Sequence, residues 1–205
     1  MNTDDRYRVL TAPGSGTVRD RASKFIGLAH PVSSMQDLKD LLGTLRKEHP
    51  GARHFCYGSV IGADGTEQRS NDDGEPGGTA GRPILRQIVA AGLTNTAVVV
   101  VRYFGGTLLG KGGLVQAYGE AARLALANAP QEDRHLMSRL AVHCGHAQFE
   151  QVRLDVERAG GLIKHAAFHM VCEVDVELPR SRTAALMERW SRAGMHIAAT
   201  SVGEV

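Results

Sequence analysis

Apolar residues change their spacing along this chain, and the spacing predicts its elements. Strands are expected over 6–12, 16–20 and 23–30, the first two joined by the turn Pro13-Gly14-Ser15-Gly16. From Ser34 the period lengthens. Leu38, Leu41, Leu42 and Leu45 form the stripe of a helix, Asp37 completes a capping box with Ser34, and Pro50-Gly51 ends it. Strands at 53–61 and 66–70 follow, hinged at Gly62-Ala63-Asp64-Gly65. After a loop over 71–79 comes a helix expected to bury Ile84, Leu85, Ile88 and Val89, stopped by Gly92. Residues 97–104 do not alternate, so this strand is expected to be buried on both faces. It empties into the glycine-rich stretch 105–113, and a helix is predicted from about 114 to 128.

Ala129-Pro130-Gln131-Glu132-Asp133-Arg134 is polar, carries proline and follows an alanine-rich helix, which marks it as a seam. It divides the chain into predicted domains 1–133 and 134–205. Beyond it the pattern reads strand 139–144, helix 146–159, strands 162–168 and 170–178, helix 181–193 and strand 195–201. That βαββαβ order is ferredoxin-like, and the fold class is α+β. In strand 170–178, Cys172, Val174, Val176 and Leu178 share one face, and Glu173, Asp175 and Glu177 the other.

Composition narrows the picture. The 205 residues suit one or two domains, and 42% hydrophobic with 22% charged residues speaks against long disorder. A net charge of +2 implies no polyanion-binding or acidic tail. The run Val98–Val101 is far shorter than the roughly 20 apolar residues of a membrane span. Asp4 and Asp5 stand near the N-terminus with no apolar run, against a secretory leader. The three cysteines, Cys56, Cys144 and Cys172, are odd in number and widely spaced, as in a reducing compartment. A soluble cytoplasmic protein without a membrane partner is expected.

The candidate chemistry lies in the first domain. Gly105-x-x-x-x-Gly110-Lys111 resembles a phosphate-binding loop, but Gly112 stands where magnesium binding needs Ser or Thr. A broader anion site remains open, built from glycine N–H groups and a helix N-terminus flanked by Arg102 and Lys111. Equally open is a tight crossover that simply needs glycine. Asp72, Asp73 and Glu75 could hold a cation or act as acid and base, with His54 as a nearby nitrogen. They could instead form a turn in which the aspartates cap their own backbone and Thr79 caps the next helix, or orient Arg82, Arg86 or Arg102. His143, Cys144 and His146 cannot easily converge on a metal from one strand. No Gly-x-Ser-x-Gly elbow is present, and Cys56 reads as a core thiol. The second domain lacks the aromatics of an RNA-recognition sheet, and its acidic row suits a solvated face or a basic protein partner. Tyr103 and Phe104 beside arginine could stack on an unpaired base or finish a core strand.

Two long segments carry a family resemblance: Asn71-Asp72-Asp73-Gly74-Glu75-Pro76-x-Gly78-Thr79-Ala80-Gly81, and Val101-Arg102-Tyr103-Phe104-Gly105-Gly106-x-x-Leu109-Gly110-x-Gly112-Gly113-Leu114-Val115-x-Ala117-Tyr118. With Ser23-x-Phe25 and Ala52-Arg53-His54-x-Cys56, they closely resemble the YigZ/IMPACT family from about Ser23 to Ala129. The resemblance implies a first domain folded like domain IV of elongation factor G and a ferredoxin-like second domain. It also implies action on nucleic acid or ribosomes, while eukaryotic relatives bind a ribosome-associated regulator and restrain the amino-acid-starvation kinase. A proline-dipeptidase label circulates among relatives. Arg82 replaces a common lysine, and Lys111 stands where the family is often small and polar.

The expected function is therefore a cytoplasmic RNA- or ribosome-binding modulator of translation. Arg102, Tyr103, Lys111 and Arg82 would make contact, and Gly105, Gly106, Gly112 and Gly113 would supply backbone donors. His54, Asp72, Asp73, Glu75 and Thr79 would form the groove rim, with no catalytic residue, metal or cofactor expected. The alternatives are a hydrolase (a metal-dependent peptidase or phosphate-ester enzyme) using the same carboxylates, and a protein-interaction regulator acting through the second domain.

Overall fold

The structure is a computed structural model that describes residues 5–204, with side chains described through Ala198. Residues 1–4 and 205 lie outside the described residues, so Asp4 and the extreme ends of the predicted domains are not placed. The chain forms an α+β fold of two compact units, one of Tyr7–Asp133 and one that joins Asp5 and Arg6 to the residues from Arg134 onward. Asp5 and Arg6 thus group with the second unit, not the first. Among the described residues no helix is long and apolar enough to cross a membrane.

The chain runs β1 (Arg6–Leu10), whose residues from Tyr7 belong to the first unit, and then, within that unit, β2 (Gly14–Asp20), β3 (Ser23–Pro31), α1 (Met35–Glu48), β4 (His54–Ile61), β5 (Glu67–Asn71), α2 (Gly81–Ala90), β6 (Thr96–Tyr103) and α3 (Gly110–Ala127). Five strands form an antiparallel sheet in the order β2-β3-β6-β4-β5. Its centre is β6, whose apolar run packs both ways. Val98 and Val100 meet Ile84, Ile88, Tyr118 and Ala121 of α2 and α3, while Val99 and Val101 meet Leu45 of α1 and Ala97 meets Leu38. Each aliphatic side chain buried on this strand and its covering helices contributes roughly 1.5–3 kcal/mol of hydrophobic driving force. Helix α3 lies so close to β3 that a side chain at Gly27 would stand 2.2 Å from the Ala121 carbonyl.

Helix α1 begins as its sequence dictates. Ser34 Oγ accepts from Asp37 N (3.1 Å) and Asp37 Oδ2 accepts from Ser34 N (3.0 Å), with Leu38 and Leu45 buried. Helix α2 differs from expectation at Val89, which is 50% exposed, because its buried face is Pro83, Ile84 and Ile88. Thr79 does not cap α2 either; its hydroxyl donates to the Pro76 carbonyl (2.7 Å). Helix α3 starts at Gly110, four residues earlier than its apolar pattern indicates.

The polar stretch read as a linker is the first part of a single strand, β7 (Gln131–Cys144), and the division between units falls within that strand. The second unit continues with α4 (His146–Arg158), β8 (Leu162–Phe168), β9 (Cys172–Pro179), α5 (Arg180–Arg192) and β10 (His196–Glu204). The sheet order β10-β7-β9-β8 completes the ferredoxin-like topology. Cys172, Val174, Val176 and Leu178 of β9 enter a core with Val152 and Trp190. Beneath the helices, Asp155 accepts from Trp190 Nε1 (3.0 Å) and Gln151 Nε2 (2.8 Å) and pairs with Arg189 (3.0 Å). The expected acidic row is incomplete. Glu177 is 3% exposed, held by Arg139 (3.3 Å) and Lys164 (3.4 Å), and only Glu173 and Asp175 reach solvent.

Candidate functional site

The residues singled out by motif meet at one end of the first unit's sheet, where β6 finishes, β4 begins and two loops cover the strand ends. The loop over 72–80 is organised by Asp72. Its Oδ1 accepts from Ala80 N (3.0 Å) and Gly81 N (2.8 Å), and its Oδ2 from Gly78 N (2.8 Å). Burial pushes this carboxyl up, but the three N–H groups and the Arg82 charge together hold it below its ordinary range. The side chain that closes the α2 N-terminus thus comes from eight residues upstream, through a loop turned at Asp73 (φ 40), Gly74 (φ 86) and Gly78 (φ 76).

Asp73 is also turned inward. Its Oδ2 accepts from Phe55 N (2.7 Å), and both oxygens meet Arg46 Nη2 at 3.0 and 3.1 Å. Its carbonyl lies 2.8 Å from His54 Nδ1. A carbonyl only accepts, so Nδ1 carries a proton, and Nε2 faces Glu75 Oε1 at 4.0 Å.

Glu75 and Arg102 form the centre of this end. The Glu75 side chain is 4% exposed and Oε1 accepts from Arg102 Nη1 (2.5 Å) and Tyr118 Oη (2.7 Å). The guanidinium lies over the rings of Phe25 and Phe104, 5.3 Å from each centroid, with Ser23 Oγ 3.5 Å from Nη2 and no partner on Nε. Cys56 Sγ approaches the Asp72 carbonyl (3.0 Å) and Tyr118 Oη (3.3 Å). Burial pushes the Cys56 thiol up to about 12 and the Tyr118 hydroxyl far above its ordinary value, so neither ionises near neutral pH.

This geometry corrects the expected placements. Arg102 is not a groove contact and Glu75 is not a rim residue, because β6 stays buried through Arg102 and a charge there is tolerable only with a hydrogen-bonded counter-charge. Thr79 is buried as well, at 3% exposure. Tyr103 is half-buried, its hydroxyl 2.9 Å from His49 Nδ1. Gly112 and Gly113 lie in the first turn of α3, not in a loop nest. Gly105 sits where any side chain would stand 2.2 Å from Ala22, and its N–H is bonded to Ser23 Oγ (3.2 Å).

What faces solvent is basic and aromatic. Arg82 and Lys111 are exposed, as are Phe104 and Leu108, and the exposed Arg53 lies over the Phe104 ring at 5.8 Å. Arg21 adds a cation that the sequence pattern did not single out; its Nη1 is 3.4 Å from the Leu108 carbonyl. Helix α3 begins here with no side-chain cap and no acidic residue in its first turn. Its first N–H groups are left without helical partners, and the positive end of its dipole faces outward. Arg46 and Tyr118 also escaped sequence reasoning as site residues. Nothing local ties an arginine of α1 to the loop at Asp73, whereas Tyr118 lay within the family motif.

The chain is thus a two-unit α+β protein whose first unit presents two glycine-bearing loops and a helix N-terminus at one end of an antiparallel sheet. The Impact N-terminal domain family matches residues 21–126, and the chain belongs to the IMPACT family. It is similar to the IMPACT family member YigZ of Escherichia coli (strain K12), 31% identical over 95% of this chain and 98% of that protein. It is similar also to the IMPACT family member YvyE of Bacillus subtilis (strain 168), 31% identical over 89% and 84% of the two chains. A solved structure described as that of a hypothetical protein shares 31% identity and a TM-score of 0.67, covering 96% of this chain and 98% of its own.

Proposed function

We propose that this protein binds RNA, on the ribosome, through the loop end of the Tyr7–Asp133 unit and so modulates translation in the cytoplasm. One observation carries the reading: Asp72, Asp73 and Glu75 are each engaged by groups of the protein itself, while Arg21, Arg53, Arg82 and Lys111 face solvent. Asp72 is taken up by three backbone N–H groups, Asp73 by Phe55 N and Arg46, and Glu75 by Arg102 and Tyr118. Among the described residues, Arg21, Arg53, Arg82 and Lys111 have no carboxylate within 4 Å, and the uncapped start of α3 adds to the same positive field. Backbone phosphate suits such a field, and the Phe104 face beside Arg53 suits an unpaired base. The same inward geometry leaves the carboxylates poorly placed to collect a metal or activate water, which weighs against a hydrolase. Three free cysteines suit a reducing cytoplasm.

Co-sedimentation with ribosomes across a salt series tests this. Each phosphate contact lowers log affinity with log salt by about 0.7 to 0.9. An Arg53→Ala/Lys111→Ala variant is expected to bind more weakly with a slope shallower by one or two contacts. Absence of binding by the parent protein at low salt would remove the reading.

A further inference from the structure

Cys144 closes β7 and Cys172 opens β9, and the two stand directly opposite in the antiparallel register. Residues so paired keep their Cα atoms about 4.5–5.5 Å apart, inside the range that a disulfide spans. Both are free and buried, in one cluster with Phe149, Val152 and Trp190. The pair sits at the end of the sheet, beside a hairpin tip. Cys172 is also paired with Phe168 of β8. Phe168, Met170 and Val171 are exposed, Met170 at 98%, and His146 Nε2 donates to the His169 carbonyl (2.8 Å) to hold the tip against the start of α4.

We propose that Cys144 and Cys172 are a reversible oxidation site, at which a peroxide converts the dithiol into a cross-strand disulfide that fastens this hairpin tip. In the first step one thiolate sulfur attacks hydrogen peroxide. The O–O bond breaks, an S–O bond forms and hydroxide leaves, taking up the proton the thiol released to become water and leaving a sulfenic acid. The second thiol then attacks that sulfur; the S–S bond forms, the S–O bond breaks and a second water leaves. Peroxide accepts the two electrons that the thiols lose. Burial, with the Cys172 sulfur alongside, pushes the Cys144 thiol up. Reaction therefore follows opening of the sheet end and quickens as pH rises.

The test treats the intact chain with hydrogen peroxide, alkylates it after unfolding, and maps peptides without reduction. Titratable thiols are expected to fall from three to one. A single linked peptide pair should contain Cys144 and Cys172 and disappear with dithiothreitol. Cys144→Ala and Cys172→Ala should each lose no thiol to a disulfide, and if they fail to fold the peptide map of the parent protein decides alone. In the oxidised protein, amide exchange over 168–173 should slow by about tenfold or more. Retention of all three thiols at peroxide levels that oxidise an exposed cysteine peptide would overturn the proposal. So would a link that includes Cys56, a link between two chains, or overoxidation of either cysteine without a link.

Discussion

Asp72, Asp73 and Glu75 are three carboxylates with three structural tasks, and each task fixes what its loss should do. Removing the Asp72 acceptor strands three backbone N–H groups at the start of α2. Asp72→Ala should therefore lower unfolding free energy by about 2 kcal/mol in urea titration, with Asp72→Asn milder. Glu75→Ala leaves the Arg102 guanidinium buried without its counter-charge and should cost about 3–5 kcal/mol. Replacing both partners, as Glu75→Gln with Arg102→Met, should recover much of that loss in the same assay, because no buried charge is then left alone. The sequence made the presence of these residues plain but not their direction. Whether an aspartate faces solvent or a ring of N–H donors depends on which backbone the fold brings within 3 Å, and those donors lie up to nine residues away for Asp72 and eighteen for Phe55 N on Asp73.

The elements were legible wherever one face is apolar and one polar. α1 announced its cap, stripe and stop, and the unbroken valine run declared β6 central. α3 was misread at its start because glycines carry no periodic signal, so Gly110–Gly113 looked like loop although they form the first helical turn. The two residues left between the expected strands 16–20 and 23–30 are the β2–β3 turn, although no glycine marks it. Arg21 (φ 42) and Ala22 (φ 65) both adopt the left-handed region in a two-residue turn where Asn-Gly is the usual signal. Replacing Arg21-Ala22 with Asn-Gly should raise stability by about 1–2 kcal/mol in chemical denaturation. It should also weaken ribosome co-sedimentation, since Arg21 is removed from the basic end. In the second unit, α4 and α5 are joined through Asp155. Asp155→Ala strands Trp190 Nε1 and Gln151 and should cost about 2–4 kcal/mol, read as an earlier transition of tryptophan fluorescence. Trp190 is the one tryptophan of the chain, so that signal reports this unit alone.

At the scale of the whole molecule, the pH dependence of stability below neutral pH follows from groups whose pKa values are lowered. Burial lowers His30 from its ordinary value of 6.5, more than Glu48 raises it. Hydrogen bonds from Ser33 and Ser34 bring Asp37 from 3.8 to about 2, and Asp72 is lowered from 3.8 as well. Each folded pKa lies below its unfolded value, so the unfolded chain binds more protons and stability falls as pH falls. The His30 contribution is complete above pH 6.5 and declines below it. The aspartate contributions persist to about pH 4 and are lost towards pH 2. Urea midpoints measured from neutral pH downward should show two declines, and His30→Gln should flatten the first.

Taken by itself, the sequence determined the element order, the α+β class, the βαββαβ pattern and the family, because periodicity, caps and long motifs are local properties of a chain. It also placed the chemistry within two segments. Only the tertiary structure decided that Arg102 and Glu75 are buried partners, that Arg21 and Arg53 join the basic end, that Glu177 turns into a salt-bridged interior, and that Cys144 meets Cys172. Those outcomes depend on which distant residues share a sheet register or a helix face. Contacts closed across tens of residues leave no periodic trace in the segments they join.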